Sequence, residues 1–384
     1  MRLINKQHFL NALLRENKLH PVYDTLKYSF SNKEFIKGSE FKKHKHEKSL
    51  FYYNYCVPRS LKAELGDYKK ISFKLPSLVY RSYGVIIDEN LESAEDYLNS
   101  HFSKKQRYSI RKGRTLLEQC FDLENKVFFG KIERDEFDFI MNKASEFLRA
   151  RFKQKNEENE HLVQWETYCN YLYPLINKRK ASIFVIYNGA SPIQITINFN
   201  INKICFGTML IYDIDYSKYS MGHIGVYNLL DWCIKNKYDF LDLGRNTYEY
   251  KTKWSNYNYE SEGQIIFNHK QKILYLLGYT IKALLKAKHV VTTLKYRWYF
   301  KKVEWAKKRA PILENIKIEK VNDSGNFSLN AFNITEAANY PDLRKTINDF
   351  LYAKKVHENS VKLYKNEEST FFIKSKNEVF KFNL

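Results

Sequence analysis

Cysteine is scarce: five residues, Cys56, Cys120, Cys169, Cys205 and Cys233, none of them spaced as C-x-x-C. An odd, scattered set excludes a disulfide framework and a cysteine-based zinc knuckle, and fits reduced thiols. With 7 Pro and 13 Gly in 384 residues, low-complexity Pro/Gly-rich chain is excluded as well. The longest apolar-leaning stretch, Ile273 to Leu285, is interrupted by Lys282. It is too short to cross a bilayer, which takes about 20 apolar residues. The first residues, MRLINKQHFLNALLRENK, contain neither a long apolar run nor a small-residue cleavage site. No signal peptide is therefore expected, and the expected location is the cytoplasm.

Acidic residues are also few: Lys and Arg number 64 against 43 Asp and Glu, a formal net charge of +21. Such a field attracts phosphates, whether on nucleic acid, anionic lipid, nucleotide cofactors or phosphorylated sugars, and does not choose among them. The composition is 44% hydrophobic and 16% aromatic, enough to bury real cores. The length suits two or three domains.

The pattern along the chain is mixed, giving an expected fold class of α+β or α/β. Residues 1–130 read as an N-terminal α/β region, with strands near Phe73–Tyr83 and Tyr83–Ile87. A helix starts after Ser93, where Asp96 completes an N-cap pair, and runs into the basic stretch KKQRYSIRKGR. Residues 131–269 form the expected core. Two helices there are marked by Phe137, Ile140, Met141, Ala144, Phe147 and Leu148, and by Leu162, Trp165, Cys169, Leu172 and Ile176. A three-stranded meander follows: Ser182–Tyr187, Pro192–Asn200 and Ile204–Tyr212, with turns at Asn188-Gly189 and Asn202-Lys203. The middle strand alternates Ile193, Ile195, Ile197 and Phe199 with polar residues and is read as half-buried. Beyond it come a helix from Val226, a buried strand Phe240–Leu243 and a strand Gln264–Asn268. Residues 270–310 form a basic amphipathic segment, with twelve Lys or Arg and one acid, Glu304, between Lys270 and Arg309. It reads as a helix covering the sheet, an interfacial helix on a membrane, or a phosphate-binding surface. Residues 311–384, after the break at Pro311, form a small α+β module with a helix over Thr335–Lys354.

The chemistry concentrates where a loop meets a helix. A helix start presents unpaired N–H groups and a positive dipole end, which suit a diphosphate. Ser220, Met221, Gly222, His223 and Gly225 are the candidate cofactor-binding residues, with Gly222 and Gly225 leaving room for backbone approach. The plain alternative is that Gly222 only eases a turn. Asp242, at a strand end, and Glu249 are the candidate bases. Tyr250 could return a proton to a leaving group, and Arg245 and Lys251 could hold phosphate or carboxylate. Against this stand a turn-capping role for Asp242 and surface pairing for Arg245 and Lys251. His223 has no second His or Cys at ligand spacing, so no metal is expected. Cys205 and Cys233 sit in apolar patterns and read as packing residues.

The segment YDIDYSKYSMGHIGVYNLLDWCIKNKYDFLDLGRNTYEYKTKW, Tyr212 to Trp254, resembles the acetyltransferase (GNAT) superfamily. The similarity is to the branch related to FemAB peptidyltransferases and CelD-like acetyltransferases. Its marks are Ser220-Met221-Gly222 opening a helix, Asp242-Leu243-Gly244-Arg245, then Tyr250-Lys251 and Trp254. The resemblance implies a mixed central sheet flanked by helices, with 1–130 a degenerate copy of the same fold. It implies transfer of an acyl group from acetyl-CoA or another acyl-CoA, without a metal, to an amine or hydroxyl of a cell-envelope or polysaccharide precursor. The FemAB likeness leaves open an aminoacyl-tRNA donor, and a fold with its site lost would be a binding protein. A lipid-linked substrate would suit peripheral contact of 270–309 with the inner face of the membrane.

Overall fold

The computed structural model describes residues 2–383 apart from 17, 32, 38–48, 77–80, 157–159, 246–247, 269, 271, 308–317, 322–332, 336–339, 366–369 and 376–377. Pro311 and Asn246 fall outside the described residues.

The first ninety residues supply β1 (Arg2–His8), α1 (Phe9–Leu14), β2 (Thr25–Tyr28), β3 (Glu34–Lys37), β4 (Ser49–Pro58), β5 (Leu61–Glu64), β6 (Tyr68–Lys74) and β7 (Arg81–Ile86). Next come α2 (Ala94–His101), α3 (Lys104–Cys120), β8 (Leu123–Phe128), α4 (Arg134–Lys155), α5 (Glu160–Val163) and α6 (Trp165–Asn177). The meander is β9 (Ala181–Asn188), β10 (Ser191–Ile201) and β11 (Ile204–Tyr212). A 3-10 turn, Ile214–Tyr219, leads to α7 (Met221–Lys235), β12 (Phe240–Arg245), α8 (Glu249–Trp254), β13 (Tyr257–Asn268) and α9 (Ile273–Lys307). The tail contains β14 (Glu319–Lys320), β15 (Asn333–Thr335), α10 (Pro341–Lys354), β16 (Val361–Lys365), β17 (Thr370–Ser375) and β18 (Glu378–Asn383).

One mixed sheet runs β1-β4-β13-β7-β12-β11-β10-β9-β8, with β6 also paired to β13. Strands from residues 1–130 and from 131–269 therefore share a single sheet. One face is covered by α1, α4 and α6, where Phe137, Ile140 and Leu172 meet Ile195 and Ile197. The other is covered by α2, α7 and α8, around Leu230, Leu241 and Trp254.

The Ser93–Asp96 capping box opens α2 as its residues predict. The helix does not continue into the basic stretch. A second capping box, Ser103 with Gln106, restarts the chain as α3, because Phe102 is extended. The meander forms with its expected turns, Gly189 at φ +57° and Asn202 at φ +48°. Its middle strand is buried on both faces: Gln194, Thr196, Asn198 and Asn200 lie under α7 instead of in water. Their polarity is absorbed inside, for example where Asn200 Nδ2 donates to Ser182 Oγ at 3.0 Å. In the tail the expected helix over Thr335–Lys354 begins only at Pro341, which occupies its first turn, and Asn333–Thr335 is a strand.

The tail packs onto the body. Leu343, Ile347, Phe350 and Leu351 of α10 join Leu117, Phe121, Tyr216 and Tyr219 in one cluster. Arg344 reaches Asp213 and Asp215, both at 2.7 Å, and Asp213 is 5% exposed. Arg344→Ala would strand a buried carboxylate, so we expect a loss of about 1–3 kcal/mol, checked by urea unfolding.

Candidate active site

The site follows from how β11 and β12 part. These parallel strands pair only through Ile204–Phe240, Cys205–Leu241 and Phe206–Asp242. Beyond that point β11 continues alongside β10 alone. β12 shifts register against β7 between Asp242 and Gly244, and Gly244 takes φ +75°, a value glycine accepts without strain. The divergence opens a cleft of about 430 Å³. Its walls come from elements far apart in the sequence: α1, α4, β7, β11, β12 and α8.

Asp242 lies at the fork and is 3% exposed. Tyr259 Oη donates to its Oδ2, and the Gly244 N–H donates to its Oδ1 at 2.7 Å. Burial raises its pKa, opposed by those two hydrogen bonds and by Lys251. It is the only carboxylate among the described lining residues, which also include the cations Arg15, Arg151, Arg245 and Lys251. Lys251, 8% exposed, donates its Nζ hydrogen to the Arg245 carbonyl at 2.7 Å. Desolvation pulls the ammonium down to about 8, with Asp242 raising it and Arg245 lowering it. At neutral pH such a lysine holds a fraction of free amine, which an exposed lysine does not. The Tyr250 hydroxyl is pushed up by burial and stays protonated. His8 is pushed down to about 4, first by burial and then by Arg245 and Arg15, so it is neutral. Arg15, just past α1, and Arg151 of α4 are held over rings, Arg15 5.3 Å from the Tyr171 centroid and Arg151 5.0 Å from Tyr212.

Four of the residues singled out in the sequence thus meet in the cleft: Asp242, Arg245, Tyr250 and Lys251. Glu249 does not join them. It faces outward and pairs with Lys253 at 2.5 Å, because it begins the short helix on the side opposite Lys251. Ser220, Met221, Gly222, His223 and Gly225 do not line the cleft either. The Tyr250 ring lies beside Gly222, where an added Cβ would be in ordinary contact, 3.7 Å from Cδ1. Met221 is buried, and its carbonyl accepts from Gln194. His223 Nδ1 accepts from Trp254 Nε1 at 2.9 Å. Ser220 caps α7 through its backbone alone, at φ +60°, with Gly113 of α3 pressed against it. Gly225 faces Leu210 and Gln194, so its missing side chain serves helix–sheet packing. Cys205 and Cys233 are buried.

Sequence reasoning missed His8, Arg15, Arg151 and Tyr259. Arg151 left a signal: it follows Phe147 and Leu148 by four and three residues, placing a charge on the apolar stripe of α4. Nothing local marks the others, which reach the cleft through long-range pairing.

Residues 104–252 match the family model described as "Acetyltransferase (GNAT) domain". No curated protein matches the chain. Among solved structures, a conserved protein of unknown function from Bacteroides thetaiotaomicron VPI-5482 is similar at 11% identity, over 56% of this chain and 69% of that one, with a TM-score of 0.39. FemX is similar at 11% identity, over 60% of this chain and 75% of its own, with a TM-score of 0.40. L-PGS from Bacillus licheniformis is similar at 13% identity, over 60% and 72%, with a TM-score of 0.37. Over residues 104–252, under half of the chain, the sequence is thus similar to the acetyltransferase (GNAT) domain, and the helix-flanked mixed sheet is a GNAT-like fold.

Proposed function

We propose that the cleft transfers an acyl group from an acyl-CoA to an amine or hydroxyl of a cell-envelope or polysaccharide precursor. The observation that carries this reading is that the buried Asp242 and Lys251 line one cleft at the fork of β11 and β12, inside the segment matched by the family model. The free amine of Lys251 takes the proton as the acceptor nitrogen or oxygen bonds to the acyl carbon. The carbon–sulfur bond then breaks, and Tyr250, protonated and in the same wall, passes a proton to the departing thiolate and regains one from the Lys251 ammonium, so both groups return to their starting states. The Arg245 carbonyl positions Lys251 Nζ at 2.7 Å, and the Asp242 charge raises the Lys251 pKa. Arg15, Arg151 and Arg245 favour an anionic substrate, such as one bearing phosphate.

A second reading, transfer from a charged tRNA, gains from one feature. The described lining of the cleft carries four cations, Arg15, Arg151, Arg245 and Lys251, against one carboxylate, Asp242. The net charge of +21 would serve an RNA partner, whose affinity falls steeply with salt.

The test is transfer of a radiolabelled acyl group by the purified chain to a panel of amino sugars and lipid-linked glycan precursors. Label should move from acetyl-CoA or a longer acyl-CoA, and the CoA should raise thermal stability. Transfer only from aminoacyl-tRNA would select the second reading. Activity from neither donor, with biological effect retained after Asp242 and Lys251 are replaced together, would leave a binding protein.

A further inference from the structure

Helix α9 is apolar on two faces, and the sheet uses only one of them. Its inner side is anchored at Leu274, which is buried, at Gly278, where an added Cβ would fall 2.9 Å from Ile71 Cδ1, and at His289, whose Nε2 lies 2.9 Å from Tyr53 Oη. On the outer side Ile273, Leu277, Leu284, Val291 and Leu294 recur at alternating four- and three-residue steps, with Thr280 and Ala287 at the two intervening places. Those five apolar side chains are 68%, 45%, 68%, 53% and 58% exposed. Solvated helices do not carry a continuous apolar stripe on their water side, so this one has a covering.

The flanking charges select what covers it. Lys288 and Lys295 border the stripe on one side and Arg297 on the other, Lys286 lies farther round the helix, and no Asp or Glu occurs between 270 and 303. A second copy would set these cations against their own equivalents, and like charges beside a helical seam oppose pairing. An anionic bilayer satisfies both features at once: the stripe enters the acyl boundary while lysines and arginines reach the headgroups.

We propose that α9 docks the protein on an anionic lipid surface, lying in the plane of the interface. No helix among the described residues is long and apolar enough to cross a membrane. The surface is separate from the cleft, so it stands or falls independently of the acyl-transfer reading.

The experiment is co-sedimentation of the full chain with vesicles of phosphatidylcholine alone or mixed with phosphatidylglycerol. Binding should require phosphatidylglycerol and weaken with salt. It should drop by about tenfold or more in the triple variant Leu284→Glu, Val291→Glu, Leu294→Glu, and also when Lys286, Lys288, Lys295 and Arg297 become Gln. All these side chains are solvent-exposed, and unchanged thermal melting would show that the fold is kept. Equal binding to both vesicle types, full binding by the triple variant, or no binding at all would overturn the proposal. So would a lipid-free dimer that the triple variant dissociates, which would make a second copy the covering.

Discussion

Lys251→Met should lower kcat/KM for acyl transfer by roughly 10²–10⁴-fold, the range a positioned proton-transfer group supplies. Methionine keeps most of the volume and removes the amine, so substrate binding should change less than turnover. The pH profile separates a chemical role from a structural one. Because burial lowers Lys251 to about 8, the reactive free amine grows as pH rises, and kcat/KM should climb through that value before levelling. Asp242 raises the Lys251 pKa, so Asp242→Asn should slide the acid limb to lower pH as well as slowing the reaction. Glu249→Ala should change neither, since that carboxylate faces solvent against Lys253. A wild-type profile flat between pH 6 and 9 would sink the assignment. Stability carries the same sign. The folded Lys251 pKa lies below its ordinary 10.5, so the unfolded chain binds more protons between about 8 and 10.5. The cost of the buried ammonium is full below about 8 and fades as pH rises to 10.5, so the methionine variant should gain relative stability at neutral pH.

Trp254→Ala should cost about 3–5 kcal/mol, the range for emptying a fully buried large aromatic. Trp254 is 0% exposed, its ring centroid 4.9 Å from Phe102 and 6.3 Å from Tyr97. Its indole N–H bonds His223 Nδ1, and its carbonyl accepts from Tyr97 Oη at 2.6 Å. The loss is also functional, because α8 is only six residues long and Trp254 anchors the turn that presents Tyr250 and Lys251. Urea unfolding should show a lower midpoint with an unchanged slope. Trp254→Phe, which keeps most of the packing and loses the N–H, should lie between the alanine variant and wild type. An alanine variant within about 1 kcal/mol of wild type would show that the ring is not an anchor.

How far the sequence alone carries depends on how local each signal is. The meander was legible because alternating isoleucines and two turn dipeptides lie within thirty residues of one another. Ser93 with Asp96 announced a cap for the same reason. The double burial of β10 was not legible, since a polar face against solvent and a polar face bonded beneath α7 leave the same alternation. Asp242, Arg245, Tyr250 and Lys251 could be picked out because a strand end and a short helix carry them close together. Glu249 shares that helix, and only the direction of its side chain removes it from the cleft. The opposite wall, Arg15 and His8, is brought in by β1 pairing with β4 and β4 with β13. No window of neighbouring residues contains that information.

The way β4 and β7 find partners sets an order of events at the ribosome. β7 on both edges, and β4 on the edge not taken by β1, wait for strands made much later in the chain, β12 and β13, before their backbone groups are matched. Until Asn268 has emerged, the amino-terminal half carries open strand edges rich in tyrosine and phenylalanine, an invitation to misassociation in any nascent chain. Closure of the sheet is thus a late and slow step, governed by long-range contacts. A fragment ending at residue 130 would keep those edges and lack the strands that heal them.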